Sequence, residues 1–279
     1  MRLCHTIAEM RAACRASRQS NKRLGFVPTM GALHQGHLSL VQAAKANCDT
    51  VAASIFVNPT QFAPTEDLAK YPRNFAHDSE LLEKEGVAFL FAPSAEEMFP
   101  AGAVSWVTVD GLSEKLDGKS RPAHFRGVTT VVAKLFHIVE PDAAFFGQKD
   151  AAQLAIIRKM AHDLNFPVEI IACPIVRDKD GLALSSRNSY LDATQRAHAL
   201  ALSRALTRIR DLWQHGEADP GKLLSDGREV IEKEKSVRLD YLELIDPNTL
   251  DPMPKAGKGA LVAIAAWIGT TRLIDNILL

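Results

Sequence analysis

Cysteine is scarce in this sequence. The four cysteines stand at positions 4, 14, 48 and 173 of a 279-residue chain, and no two of them have the Cys-x-x-Cys spacing. Disulfide frameworks and zinc sites are usually marked by close, paired spacing, which is missing here. We therefore expect the four thiols to be small buried hydrophobic groups rather than disulfides or metal ligands.

Long apolar segments and an excess of one charge are also missing. The longest apolar run, residues 260–268, is well short of the roughly 20 residues of a membrane-spanning helix. Charged residues at positions 2, 9, 11, 15 and 18 interrupt any signal-peptide core. The 33 basic and 33 acidic residues cancel, which argues against a nucleic-acid partner. We expect a cytoplasmic protein that binds neither membranes nor nucleic acids.

The first part of the chain alternates between strand and helix patterns. Strands are predicted at residues 24–27, 50–57, 87–91, 104–109, 143–146 and 168–172. Helical spacing of apolar residues separates most of them, and Thr6 followed by Glu9 is a capping-box signal for the first helix. This alternation predicts a Rossmann-like, doubly wound parallel α/β sheet.

The pattern changes after about residue 175. A helix beginning after Asp192 and a second one near residues 221–235 precede strands predicted at 237–244, 261–267 and 273–277. Helices followed by strands with short turns favour a smaller α+β domain. We therefore predict a Rossmann-like domain over residues 1–175 and a smaller C-terminal α+β domain over residues 176–279.

Residues 28–37, Pro-Thr-Met-Gly-Ala-Leu-His-Gln-Gly-His, lie between a predicted strand and a predicted helix. Unpaired N–H groups and the dipole at a helix N-terminus favour an anion, and glycines allow the anion to approach the backbone. Phosphate is the expected ligand. His34 and His37 have a spacing that also occurs in zinc sites, but no Glu lies between them and no third ligand is near in sequence.

Two further segments have groups that suit phosphate. Lys149 lies at another strand-to-helix junction, where it could reach triphosphate oxygens as a point charge, or be an ordinary surface lysine beside a capping aspartate. Ser185, Ser186 and Arg187 combine two hydroxyls with a guanidinium that can bind phosphate oxygens. Such triplets are common in loops, so their order after the histidine turn is the informative feature.

The string at residues 28–37 resembles the pantothenate synthetase (pantoate–β-alanine ligase) family of the nucleotidyltransferase superfamily. The similarity continues through residues 185–188 to Gly-Thr-Thr-Arg-Leu-Ile-Asp-Asn at 269–276. It implies that (R)-pantoate and β-alanine are condensed to pantothenate, with ATP converted to AMP and pyrophosphate through a pantoyl adenylate. A nucleotidyltransferase of the same superfamily, which leaves the nucleotidyl group on its product, is the alternative.

The resemblance also implies roles for individual residues. The catalytic residues are His34, His37 and Lys149. Pantoate and β-alanine are bound by Gln61 and Gln153. ATP is bound by a larger set: Met30, Gly31, Ala32, Leu33, His34, Gln35, Gly36, His37, Gly147, Gln148, Lys149, Asp150, Val176, Leu184, Ser185, Ser186 and Arg187.

Several other implications are less direct. No protein metal site is assigned, and Mg²⁺ is expected to arrive with the nucleotide, with Asp78 as a candidate helper. Gln148 stands where the family usually has Glu, which puts any carboxylate role there in doubt. The resemblance implies that residues 1–175 bind the nucleotide and pantoate and that residues 176–279 act as a lid. A homodimer is expected by analogy. Further residues at family-like positions are Asn58, Tyr71, Arg121 and His124.

Overall fold

Helices and strands alternate through most of residues 2–173, with three successive helices in one connection, and are followed by two helices and three strands. The computed structural model describes residues 1–64 and 66–279. The α-helices are α1 (Ile7–Gln19), α2 (Gln35–Asn47), α3 (Phe75–Lys84), α4 (Ala95–Met98), α5 (Asp117–Ser120), α6 (His124–Val139), α7 (Ala151–Asp163), α8 (Ala193–Gln214) and α9 (Pro220–Glu232). The strands are β1 (Arg2–Cys4), β2 (Leu24–Thr29), β3 (Thr50–Ile55), β4 (Phe89–Phe91), β5 (Ala143–Gly147), β6 (Glu169–Cys173), β7 (Val237–Ile245), β8 (Leu261–Ile268) and β9 (Thr271–Leu278).

Local capping signals explain where several helices begin. Thr6 Oγ1 accepts the Glu9 N–H, and the Glu9 carboxylate accepts the Thr6 N–H, which is the predicted capping box of α1. Asp192 and Gln195 form the same reciprocal pair at the start of α8. These contacts satisfy donors that the first turn of a helix leaves unpaired.

The first sheet is parallel, in the order β1-β4-β3-β2-β5-β6. Its central strands carry small and apolar residues that are almost entirely buried, as expected for a sheet covered on both faces. The chain runs from β2 outward through β3 and β4, and later from β5 outward through β6, so the strand order reverses between β2 and β5. Open α/β sheets bind ligands outside the carboxyl ends of the strands at such a reversal.

The chain divides into two compact units. The first contains Met1–Gly147 and Ile156–Cys173, and the second contains Gln148–Ala155 and Pro174–Leu279. The second unit has an antiparallel sheet in the order β7-β8-β9, with α8 and α9 in the same apolar cluster as β8. A parallel α/β unit and a smaller α+β unit confirm the predicted fold class. The domain division 1–175 and 176–279 and its lid role stay predictions.

One strand was missed and one strand prediction was wrong. The strand β1 was not predicted because it has only three residues. Residues 104–109 are not a strand, because the polar backbone groups of Val107 bind α6 instead of a neighbouring strand. The Val107 N–H donates to Thr130 Oγ1 over 3.0 Å, and its carbonyl oxygen accepts from Thr129 Oγ1 over 2.6 Å. The segment leaves Val104 83% exposed.

Three of the four cysteines are buried as predicted, whereas Cys48 is partly exposed. All four are free thiols. Burial raises the pKa of the Cys14 thiol to about 12, which keeps it protonated and unreactive at neutral pH. Within residues 1–64 and 66–279, no helix combines the length and the apolar character needed to cross a membrane.

Candidate active site

The turn after β2 has an unusual backbone. Gly31 has φ of +81° and Ala32 has φ of +51°, so two consecutive residues are in the left-handed region. Glycine adopts this conformation at little cost, whereas alanine is strained by roughly 1 kcal/mol or more. A Cβ on Gly31 would also lie 3.0 Å from a carboxylate oxygen of Asp78. The turn therefore requires glycine at 31 and an external contact that holds Ala32.

Asp78 supplies that contact from the first turn of α3. Its side chain is 1% exposed, Oδ2 accepts the Ala32 N–H over 2.8 Å, and Oδ1 accepts the Leu33 N–H over 2.8 Å. Both carboxylate oxygens are therefore bound to the backbone of the turn. The prediction that Asp78 helps to hold Mg²⁺ stays a prediction, and its observed contacts assign it to positioning the histidine turn.

His34 and His37 form a capping box made of imidazoles. His34 Nδ1 accepts the Gly36 N–H over 3.1 Å, and His37 Nδ1 accepts the His34 N–H over 3.3 Å. The ring centroids are 4.1 Å apart. Because each Nδ1 accepts a hydrogen bond, each neutral ring carries its proton on Nε2. The N-terminus of α2 thus holds two Nε2–H donors beside its own backbone N–H groups, which suits an anion.

The side chain of Gln61 is held in place by Asn58. Asn58, which is 1% exposed, accepts the Thr60 N–H with Oδ1 and donates Nδ2–H to the Gly127 carbonyl oxygen. These backbone partners settle which end of the Asn58 amide is the donor. Asn58 Nδ2 also donates to Gln61 Oε1 over 3.1 Å, so Gln61 Nε2 is left as the donor end and faces Met30 Sδ at 3.0 Å.

The main chain of Gln61 is held by a separate group of side chains. His124 Nδ1–H donates to the Gln61 carbonyl oxygen over 2.8 Å, and His124 Nε2 accepts from Arg121. Arg121 makes a bidentate pair with Glu66, with both distances 2.7 Å. Burial raises the pKa of Glu66, but the Arg121 hydrogen bonds outweigh it and hold that pKa below its usual value. Burial and the nearby Arg121 guanidinium lower the pKa of His124 to about 4, so the ring is neutral at pH 7.

The remaining predicted ligands lie in the second unit. Gln148, Lys149 and Asp150 form a 3₁₀ turn that leads into α7, and Lys149 Nζ lies 3.5 Å from Asp150 Oδ1. Gln153 lies in the first turn of α7, as predicted. Lys149 is therefore at a strand-to-helix junction, but its phosphate role stays a prediction.

The serine-arginine loop follows a small hairpin. The Leu184 N–H donates to the Val176 carbonyl oxygen over 3.0 Å, and the hairpin turns at Gly181, whose φ is +93°. Ser185 then caps a 3₁₀ helix, Ser186–Tyr190, by accepting the Arg187 N–H. The hairpin gives this loop a defined start, which residue type alone did not reveal.

The structure places the predicted residues in two groups, one in each compact unit. His34, His37 and Gln61 belong to the first unit, and Lys149, Gln153 and the loop Ser185–Arg187 belong to the second. That both groups face one ligand stays a prediction. In the part of the chain that the structure describes, no cluster of three or more His, Cys, Asp or Glu side chains is arranged to hold a metal ion.

Glu66 was not predicted from the sequence. It is separated from its partner Arg121 by 55 residues, and no motif links the two. The roles of His124 and Asp78 toward the backbone were also unforeseen, because their carbonyl and N–H partners leave no mark in residue type.

A parallel sheet whose strand order reverses beside a helix N-terminus with two histidines defines a Rossmann-like α/β protein of the nucleotide-binding type. The model of the Pantoate-beta-alanine ligase family matches residues 2–278, and the chain belongs to this family. It is 61% identical over 279 residues to the pantothenate synthetase of Koribacter versatilis, covering 100% of this chain and 96% of that protein.

Solved structures give the same result. The chain matches the crystal structure of pantothenate synthetase from Thermus thermophilus with a TM-score of 0.95 and 46% identity, covering 100% of this chain and 99% of that one. It matches the pantoate-beta-alanine ligase from Francisella tularensis, complexed with beta-gamma ATP and beta-alanine, with a TM-score of 0.81 and 33% identity. That match covers 100% of this chain and 97% of the other.

Asp78→Asn tests the support of the histidine turn. The amide keeps the size of the side chain but places an NH₂ group against one of two buried N–H donors. We expect a loss of about 1–3 kcal/mol in the free energy of unfolding, measured by urea denaturation. Glu80→Gln on the same helix is the control, because its pair with Lys84 is exposed and should contribute little to stability. Equal losses in the two variants would contradict the assignment.

His124 makes stability depend on pH. Its pKa of about 4 in the folded chain lies below the roughly 6.5 of an unfolded histidine, so the unfolded state binds more protons between these values. The charged or titratable groups around it are Arg121, Glu66 and Asp117. The contribution of neutral His124 to the free energy of unfolding should therefore be fully present above about pH 6.5. It should be lost, by on the order of 1–3 kcal/mol, as pH drops toward 4.

The matched variant is His124→Asn, which retains a donor near the position of Nδ1 but does not titrate. Urea denaturation at pH 7 and pH 4.5 should show a smaller pH-dependent loss in this variant than in the unmodified protein. His162→Asn is the control, since that side chain is 83% exposed. An unchanged pH dependence in His124→Asn would rule out this contribution.

Proposed function

We propose that this protein condenses (R)-pantoate with β-alanine to give pantothenate, with ATP converted to AMP and pyrophosphate through a pantoyl adenylate. The observation that carries the proposal is the family match over residues 2–278, together with three phosphate-type segments in the family order. The Francisella relative, complexed with beta-gamma ATP and beta-alanine, supports the choice of substrates.

Charge development explains why hydrogen-bond donors matter. A pantoate carboxylate oxygen attacks the α-phosphorus of ATP, and the bond to the pyrophosphate oxygen breaks. Negative charge grows on the transferred phosphoryl group and on the departing pyrophosphate, so donors already in position lower the barrier. The two Nε2–H groups of His34 and His37 at the N-terminus of α2 are such donors. No nucleophilic side chain is required, because the acyl adenylate is the activated species.

The second unit contributes cationic and hydroxyl donors. Lys149 acts as a point charge on the triphosphate, and Arg187 offers a planar, bidentate contact. Ser185 and Ser186 add hydroxyl donors. We propose that ATP is bound by the residues assigned to it in the sequence analysis, which lie at positions 30–37, 147–150, 176 and 184–187.

Gln61 meets pantoate as a donor. Its Oε1 is bound by Asn58, so the Nε2–H₂ end is available to a hydroxyl or carboxylate oxygen in exchange for its contact with Met30 Sδ. Gln153 is proposed to bind the same substrate. Uncharged amides suit pantoate because they bind its hydroxyls without competing for the charge of the triphosphate.

Mg²⁺ is proposed to arrive with the nucleotide. Magnesium in such sites usually keeps several waters and binds substrate phosphates rather than an all-protein cage. When bound, it would neutralise charge on the departing pyrophosphate. The lid role of residues 176–279, a homodimer and a cytoplasmic location remain predictions.

The decisive experiment measures pyrophosphate and AMP separately. With ATP, Mg²⁺ and pantoate alone, we expect about one equivalent of pyrophosphate per active site in a single turnover and little AMP. Adding β-alanine should then release AMP and pantothenate. The adenylate is expected to persist until the amine attacks its acyl carbon.

The alternative functions give different results. A nucleotidyltransferase would release pyrophosphate but keep the nucleotidyl group on its product, so β-alanine would not produce AMP. A protein that only binds nucleotide would release no pyrophosphate. Either result would overturn the proposal.

Single variants test the donors. His37→Ala and Lys149→Ala should each slow adenylate formation by on the order of a hundredfold or more in single-turnover assays, because each removes a preorganised donor. His162→Ala and Lys159→Ala are matched controls on α7, with exposed side chains paired to Asp163. The controls should remain within about twofold of the unmodified protein. Near-normal pyrophosphate release by either test variant would contradict its role.

A further inference from the structure

The segment 269–276 resembles its family counterpart, yet the proposed chemistry assigns it no task. Most of it lies in β9, which pairs with β8 in the second unit. Near its end stands Asn276, a polar residue that is only 2% exposed. A buried amide must bind partners, because leaving it unsatisfied destabilises the folded protein.

The partners of Asn276 are two carbonyl groups of the 3₁₀ turn Gln148–Asp150, which we call the lysine turn. Asn276 Nδ2 donates to the Gln148 carbonyl oxygen over 2.9 Å and to the Lys149 carbonyl oxygen over 2.9 Å. Both amide hydrogens are thus used on consecutive residues of one 3₁₀ turn. Since carbonyl oxygens only accept, these contacts also settle the orientation of the Asn276 amide.

The orientation of the Asn276 amide favours a hydrogen-bond donor in the side chain at position 148. Asn276 Oδ1 faces Gln148 Nε2 at 3.4 Å, so an acceptor meets a donor. A glutamate at this position would place a second acceptor against Oδ1. Gln148 therefore complements Asn276, although its family counterpart is usually a carboxylate.

Asn276 is itself fixed by a buried ion pair. The Asn276 N–H donates to Asp275 Oδ1 over 2.8 Å, and Asp275 is 4% exposed. Arg177 binds both oxygens of Asp275, at 2.6 and 2.8 Å, and also donates to the Gly181 carbonyl oxygen. A bidentate arginine contact sets both distance and direction. The lysine turn, β9 and the start of the hairpin before the serine-arginine loop are thus joined by one chain of hydrogen bonds.

We propose that Asn276 is a positioning residue for Lys149, and that it acts by binding the two carbonyl groups of the turn that carries the lysine. The inference rests on the proposed role of Lys149 in adenylate formation. Displacement of a donor by about 1 Å can slow a reaction on the order of a hundredfold, so the effect of losing Asn276 should appear in the rate.

The test compares four forms of the full-length protein: unmodified, Asn276→Ala, Lys149→Ala and the double variant. Single-turnover pyrophosphate release with saturating ATP, Mg²⁺ and pantoate is measured for each. We expect Asn276→Ala to slow release about 10- to 100-fold. In the Lys149→Ala background the same change should slow it less than about threefold, because a residue acting through Lys149 has no further effect once the lysine is gone.

A stability-matched control separates positioning from general damage. Leu273→Ala removes a buried leucine, 5% exposed, from the same strand, where the side chain belongs to the apolar cluster of α8 and β8. It should lower the melting temperature but keep the release rate within about threefold. If Asn276→Ala does not fold, Asn276→Ser, which keeps one donor, is assayed in its place with the same expected non-additivity.

The outcomes are distinct. Independent, multiplicative effects of the two changes would overturn the positioning role, as would an unaffected rate in Asn276→Ala while Lys149→Ala is slow. A rate loss in Leu273→Ala as large as that in Asn276→Ala would also overturn it. A normal rate in Lys149→Ala would contradict the proposed role of Lys149 and with it this inference, whereas no pyrophosphate release by the unmodified protein would contradict the proposed function.

Discussion

The histidine turn depends on one buried carboxylate. Asp78 accepts two consecutive N–H groups from a backbone stretch that contains a left-handed alanine, and so offsets the strain of that conformation. Without those two contacts the N–H groups of Ala32 and Leu33 would be left without acceptors close to the protein interior. The imidazole capping box then follows, because His34 can cap α2 only if the turn delivers its backbone to the helix start.

The same arrangement recurs at the other predicted ligand positions. Gln61 is held through its carbonyl group by His124, and Lys149 through its carbonyl group by Asn276. In each case a side chain binds the main chain of a residue with a predicted site role, and Asn58 additionally binds the Gln61 side chain at Oε1. A main-chain contact limits where a side chain starts but leaves its reactive end able to meet a ligand. The need to hold the main chain explains why polar side chains stand at these positions, although an apolar side chain would be removed from water at a lower free-energy cost.

Sequence patterns predicted the parts of the fold that depend on neighbours in the chain. The capping pairs at Thr6 and Asp192, the uncharged central strands and the glycine-containing turn all follow from local residue type. The failures involved distant partners. Residues 104–109 have strand-like alternation, but the hydroxyls of Thr129 and Thr130 bind the backbone of Val107. No residue near the segment in sequence indicates these contacts. The side chains that support the predicted site could not be identified from the sequence. They bind backbone groups, which are the same in every residue, so residue type does not show which side chain binds which group.

Charge also explains the choice of supporting groups. An anionic ligand is best met by donors whose own supports do not add competing charge nearby. Around Gln61 the charges of Glu66 and Arg121 cancel, and burial keeps His124 neutral, so this support adds no net charge. Asp78 is the exception in the first unit.

The carboxylate of Asp78 is directed at the N–H groups of Ala32 and Leu33, and hydrogen bonds to an anion polarise those peptide groups. Its negative charge is thereby spread over two amides and not presented as a bare oxygen. An uncharged acceptor could not bind two N–H groups with two equivalent oxygens. A carboxylate therefore suits this position in spite of its charge, and the groups at this turn that suit an anion are the imidazole N–H groups and the N-terminus of α2.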